Sequence, residues 1–145
     1  MEYNFKKVHT GKDLAISTIV LLAGAGLFFF NKGLGICIAT CGLFMLLFYK
    51  GGYKMDGHGV VLQKKSEDLC KCCKSSITDY LAGKDVTPQI KKGNEGGSVR
   101  LDVYYNAAEG IAYAQLYDFR NYTYEPETDV IEIHSLRSEK LISQL

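Results

Sequence analysis

The chain has 145 residues with 17 basic and 16 acidic side chains, a formal charge of +1, five cysteines and no tryptophan. So even a balance leaves no basic footprint for nucleic acid, and about 95 residues outside the apolar N-terminal region suffice for one small core. Five cysteines, an odd number, exclude the even, spaced framework of a secreted disulfide scaffold and point to free thiols in a reducing compartment.

Residues 1–13 read as a cytoplasmic N-terminal tail. Two apolar runs follow, residues 14–30 with no charge in 17 positions and residues 34–49 with none in 16, separated by Asn31, Lys32 and Gly33. A spanning helix needs roughly 17–25 apolar residues, so residues 14–49 are expected to form a membrane α-helical hairpin of two transmembrane helices. So short a break makes the helices antiparallel neighbours. Gly24, Gly26, Gly35, Ala39 and Gly42 then fall where the backbones meet, with Gly35 and Ala39 at the four-residue spacing of close helix packing. No ionisable side chain lies inside either run, which disfavours a transporter or proton relay. Lysines cluster before the first run (Lys6, Lys7, Lys12) and after the second (Lys50, Lys54), with only Lys32 between. That bias implies an integral protein of a bacterial inner (plasma) membrane with both termini cytoplasmic.

Residues 50–59 contain Gly51, Gly52, Gly57 and Gly59 and read as a hinge into a cytoplasmic α+β domain over residues 60–145. Residues 60–62 are a short strand candidate. Ser66, followed by Glu67 and Asp68, has the form of a helix N-cap with acids in the first turn. Leu69, Cys73, Ile77, Tyr80 and Leu81 continue at helical spacing, and Gly83 supplies a stop. Cys70, Cys72 and Cys73 form the densest chemical cluster. Cys70 and Cys73 would share a helical face and, with His58, are the only metal candidates; no second nearby Cys/His pair completes a zinc set. Residues 91–97 read as a glycine-containing loop. A strand signal follows that loop, whereas a phosphate-binding loop leads into a helix.

The strongest sheet signal spans residues 99–119. Val99, Leu101, Val103 and Tyr105 alternate with Arg100, Asp102, Tyr104 and Asn106. After a four-residue turn ending at Gly110, Ile111, Tyr113, Gln115 and Tyr117 alternate with Ala112, Ala114, Leu116 and Asp118. This is a β-hairpin pattern. Residues 121–128 read as a polar connection, 129–134 as a further strand, and Ser135 or Ser138 as the start of a terminal helix. The expected domain is therefore an antiparallel sheet of 3–5 strands with two helices.

Six of the ten tyrosines lie between Tyr104 and Tyr124. An aromatic platform for bases would need basic grooves, and acids outnumber bases here. Tyr104, Tyr113, Tyr117, Tyr122 and Tyr124 instead make a candidate partner-binding face, since tyrosine is favoured at protein interfaces. No cofactor signature and no nucleophile–base spacing is present. The sequence favours a protein-interaction or scaffold module held at a membrane, whose partners are the lipid bilayer and either another protein or further copies of the chain. A membrane effector or sensor whose soluble domain controls self-association of the transmembrane hairpin, or a thiol or metal protein using Cys70, Cys72 and Cys73, are the alternatives.

Overall fold

The computed structural model describes residues 3–92 and 98–145. It divides into two compact units, Glu2–Val61 and Leu62–Leu145. Much of the loop expected over 91–97 lies outside the described residues.

In the first unit the order is β1 (Phe5–Val8), α1 (Gly11–Leu27), α2 (Lys32–Phe48) and β2 (Gly52–Met55). β1 and β2 pair antiparallel, Phe5 opposite Met55 and Val8 opposite Gly52. The expected tail and hinge thus each supply a strand, and the two strands close the base of the helical pair. Thr10 caps α1: the Asp13 amide donates to Thr10 Oγ1 at 3.1 Å and the Thr10 amide donates to Asp13 Oδ2 at 2.8 Å. This reciprocal capping satisfies two donors that a helix start leaves orphaned. The same Asp13 Oδ2 also accepts from the Gly51 amide at 2.8 Å, so one buried carboxylate joins the start of α1 to the approach to β2. The backbone amides of Thr10 and Gly51 hold its pKa below the ordinary carboxylate value. At the far end Asn31 caps α2 by accepting from the Leu34 amide at 3.2 Å.

The helices touch through small residues. A Cβ on Gly24 would overlap the Ala39 backbone, one on Gly35 would overlap Phe28, and one on Gly42 would come within 2.5 Å of the Leu21 nitrogen. Gly26 differs, with no neighbour within 4 Å of its added Cβ position.

The expectation of two transmembrane helices, and with it the placement in a bacterial inner (plasma) membrane with cytoplasmic termini, is overturned. No helix among the described residues is long and apolar enough to cross a membrane. α1 and α2 have 17 residues each, about 25 Å at 1.5 Å per residue against a hydrocarbon core of about 30 Å. The uncharged runs do not coincide with the helices. Phe28, Phe29 and Phe30 belong to the turn, while Lys12, Asp13 and Lys32 occupy first turns of the helices.

The second unit is built on β3 (Val61–Cys70), a 3₁₀ turn at Lys71–Cys73, α3 (Lys74–Leu81), β4 (Ser98–Asn106), β5 (Ile111–Arg120), β6 (Thr123–Pro126), β7 (Ile131–His134) and α4 (Ser135–Gln144). β3 pairs with β4 and β4 with β5, while both β6 and β7 pair with β5, all antiparallel. The expectation of 3–5 strands concerns residues 60–145 alone, where β3–β7 lie; with β1 and β2, from the regions expected to be tail and hinge, the described residues hold seven strands. The helix expected from Ser66 is also corrected. Ser66 pairs with Asp102 and Glu67 with Leu101 in the sheet, and helix begins only at Lys71. Eight registered positions between Gln63 and Cys70 outweigh a local cap signal.

The β4–β5 hairpin forms with the expected alternation. Val99, Leu101, Val103, Ala112, Ala114 and Leu116 are fully buried and pack with Leu69, Cys73, Ile77, Tyr80, Leu81, Ile133 and Leu141, so α3 and α4 cover one sheet face. α3 and α4 are locked by Tyr80 and Arg137: the Tyr80 hydroxyl donates to the Arg137 carbonyl at 2.5 Å, and the Arg137 guanidinium donates back to the Tyr80 carbonyl. The segment 121–128 is not merely a connection. Asn121 and Tyr122 adopt positive φ (51° and 62°) and turn the chain tightly into β6.

Hydrogen exchange of the α1 and α2 amides tests the close helix contact. Gly42→Ala is expected to lower their protection by about 1–3 kcal/mol by forcing the backbones apart. Gly26→Ala is expected to raise it by up to about 1 kcal/mol, since it fills open space and removes glycine's backbone freedom. Equal effects at both positions would refute the packing account.

Candidate functional site

Three constellations carry the chemistry, and each grows from a different feature of the fold. The first is the sheet face opposite α3 and α4. Side-chain alternation sends Arg100, Asp102, Tyr113, Gln115 and Tyr117 away from the core, and register sets Arg100 opposite Tyr117 and Tyr104 opposite Tyr113. The Arg100 guanidinium carbon lies 4.9 Å from the Tyr117 ring centre and 4.5 Å from that of Tyr124, within cation–π range. Asp102, 3% exposed, faces Arg100 Nε at 3.2 Å and Lys64 Nζ at 2.8 Å. Burial works against the Lys64 ammonium, but its bonds to Asp102 and Tyr104 prevail and raise its pKa above the ordinary lysine value.

The hydroxyls on this face are engaged. Tyr124 donates to Asp68 Oδ1 at 3.0 Å, which leaves its oxygen to accept from Ser98 Oγ at 2.8 Å. Tyr117 donates to Gln115 Oε1 at 2.7 Å, and Tyr113 donates to Glu132 Oε1 at 3.1 Å. Tyr113 is itself 3% exposed. Of the five tyrosines expected to form a partner face, Tyr104, Tyr113, Tyr117 and Tyr124 are thus at least half-buried and share one side of the sheet. Tyr122 stands apart at the β5–β6 turn, 97% exposed.

The second constellation sits at the end of β5. Asp118 has the inward parity of Ala114 and Leu116, so the fold must neutralise a buried carboxylate at the edge of the core. Lys74 Nζ of α3 lies 2.9 Å from Asp118 Oδ2 and 2.9 Å from Glu127 Oε1. The Arg120 guanidinium completes the ring at 3.1 Å from Asp118 and 2.6 Å from Glu127. Lys74 before all else, then Arg120, holds the Asp118 pKa below the usual carboxylate range. A cleft of about 440 Å³ opens beside this ring, lined by Lys71, Lys74, Ser75, Thr78, Asp79 and Glu127. Its cations and carboxylates neutralise one another, and it holds no nucleophile with a base. The network pins α3 to β5. The sequence did carry a signal for it: Asp118 is a charge on the apolar side of an alternating strand, a place that demands a partner.

The third constellation is the thiol turn. Cys70 ends β3, and Cys72 and Cys73 lie in the 3₁₀ turn. The Cys72 amide donates to Cys70 Sγ at 3.3 Å, and the Cys72 and Cys73 sulfurs are 3.9 Å apart. Cys73 is buried, Cys70 half-buried and Cys72 exposed. Among the described residues no three His, Cys, Asp or Glu side chains are grouped to hold a metal, so Cys70, Cys73 and His58 are not assembled into the metal set weighed from sequence. All five cysteines are free.

The helical pair contributes apolar surface rather than chemistry. Gly24, Gly35, Ala39 and Gly42 are occupied at the α1–α2 contact, and Gly26 is not. Gly24, Gly35 and Ala39, with Ala25, Phe28, Phe29 and Ile36, also line an apolar groove of about 300 Å³. No family model, curated protein or solved structure matches this chain.

Acid unfolding checks the Asp118 assignment. Because its folded pKa is depressed, its contribution is fully present above the ordinary carboxylate pKa of about 4 and is lost as pH falls through the lower folded value. Asp118→Asn is expected to cost about 2 kcal/mol at neutral pH by leaving Lys74 half-paired, and to flatten that acid limb. An unchanged acid limb would refute the assignment.

Proposed function

We propose that this chain is a protein-interaction module that assembles with further copies of itself through the flanks and turn of the helical pair. One observation carries the reading. Among the described residues, fourteen of the eighteen exposed large hydrophobic side chains lie between Leu14 and Tyr49, including Phe29 at 86%, Phe30 at 90% and Phe48 at 70%. Together these side chains expose apolar surface on the order of 1,000 Å², distributed around the helical pair, more than the few hundred Å² of a monomer's ordinary patch and enough to supply one side of a stable interface.

The occupant follows from shape and charge. Residues 14–30 and 34–49 carry no charge, so a partner must offer a charge-free surface or leave ions unpaired against it. The chain itself has such a surface. Phe30 projects from the turn, and the groove lined by Gly24, Phe29, Gly35, Ala39 and Ile36 lies close to it in the chain, giving the turn region both a knob and a hole. Self-complementarity of this kind suits an isologous pair of copies. Gly24, Gly35 and Gly42 already meet the facing helix within one hairpin, so assembly uses the outer flanks, the turn and the groove that Gly24 and Gly35 border.

Light scattering on the full-length chain as it elutes from a sizing column tests this. The expected mass is at least twice the 16.1 kDa of the single chain. Phe30→Asp and Ile36→Asp, both at exposed positions, are expected to weaken assembly at least about tenfold with unchanged circular dichroism. A wild-type monomer would overturn the reading. So would a monomer that floats with phosphatidylcholine vesicles, which would assign the same surface to lipid.

A further inference from the structure

The thiol turn has a geometry that core packing does not account for. Cys73 is 1% exposed and belongs to the core, where small apolar thiols are common. Cys70 and Cys72 do not share that explanation, being half-buried and exposed. Their contact is also directional. The Cys72 amide points at Cys70 Sγ from 3.3 Å, an arrangement that stabilises negative charge on that sulfur. Lys91 adds a cation near Cys70, and the Cys70 amide is anchored to the Lys91 carbonyl at 2.9 Å.

We propose that Cys70 and Cys72 are a two-electron redox pair, Cys70 reacting first with a small peroxide and Cys72 closing a disulfide onto it. The Cys70 thiolate attacks one oxygen of hydrogen peroxide, the O–O bond breaks, and hydroxide leaves and is protonated to water, so that Cys70 becomes a sulfenic acid. Cys72 then attacks the Cys70 sulfur. The S–O bond breaks, the departing hydroxyl takes the Cys72 proton as a second water, and the S–S bond forms. Two thiols supply the two electrons that reduce one peroxide.

The electrostatics divide the roles in the same order. The Cys72 thiol and then the Cys72 amide, both hydrogen-bonded to Cys70, lower its pKa from the ordinary thiol value. Donating a hydrogen bond to Cys70, before all other causes, pushes the Cys72 pKa up to about 11. Cys70 is thus the more readily ionised thiol and Cys72 the reserve partner. Oxidation of Cys70 removes the acceptor that held the Cys72 proton and frees Cys72 to attack.

The test treats the full-length chain with one equivalent of hydrogen peroxide and follows intact mass and peptide mapping. The expected product has lost two hydrogens and carries a disulfide between Cys70 and Cys72, with Cys37 and Cys41 oxidised at least about tenfold more slowly as internal controls. Cys72→Ser is expected to stop at a sulfenic acid on Cys70 that dimedone captures, and Cys70→Ser to lose both products. A disulfide on another pair, no disulfide at all, or wild-type oxidation in Cys70→Ser would overturn the proposal. If Cys70→Ser does not fold, the labelling order of the wild-type thiols with iodoacetamide decides: Cys70 first supports the assignment, and any other order overturns it.

Discussion

The register of β4 against β5 is the constraint on which the second unit depends. Once Leu101 stands opposite Leu116 and Val103 opposite Ala114, every inward position is apolar as far as Asp118, and α3 and α4 have a surface to cover. The same register sets Arg100 opposite Tyr117 and Asp102 opposite Gln115 on the other face. A slip of one residue would exchange the two faces and bury Arg100 and Asp102 among leucines. The polar network and the core are thus two consequences of one pairing. Asp118 marks where the inward row reaches the edge of the core, and the cations of Lys74 and Arg120 let it stay buried there.

The first unit obeys a different constraint, that of backbone distance. α1 and α2 meet where Gly24, Gly35 and Gly42 leave no side chain between them, so the helices use their small residues against each other and turn the large ones outward. Asp13 fixes the base of this pair, because one carboxylate serves both the α1 cap and the Gly51 amide. With its closest contact made by glycines, such a pair buries little of its own apolar surface. That is why an outward-facing apolar flank is a consequence of the packing itself, and why assembly is the reading it supports.

Periodic features were the legible ones. The β4–β5 hairpin follows from alternation at period two, and the close contact at Gly24, Gly35 and Gly42 follows from small residues on either side of a short break. What misled was counting without boundaries. The uncharged run over residues 14–30 is offset from the helix, which starts at Gly11 and ends at Leu27, because three phenylalanines entered the turn. Ser66 carried a cap signal and became a strand residue, because its pairing with Asp102 depends on a partner more than thirty residues away. The sequence grouped Tyr122 with Tyr104, Tyr113, Tyr117 and Tyr124, whereas Tyr122 stands at the β5–β6 turn, and the hydroxyl partners Asp68, Ser98, Gln115 and Glu132 come from four strands and were invisible to spacing alone.

The sequence by itself determined the local and periodic properties: two charge-free runs joined by a short break, an alternating hairpin, and three thiols within four residues. These depend on neighbours a few positions apart, which the chain order specifies directly. Only the tertiary structure decided where the helices stop, that Asp118 is held by Lys74 and Glu127, that Arg100 lies between two tyrosine rings, and that the Cys72 amide points at Cys70. Each of these turns on distances and angles between groups, and many of the groups are brought together only by strand register and helix packing.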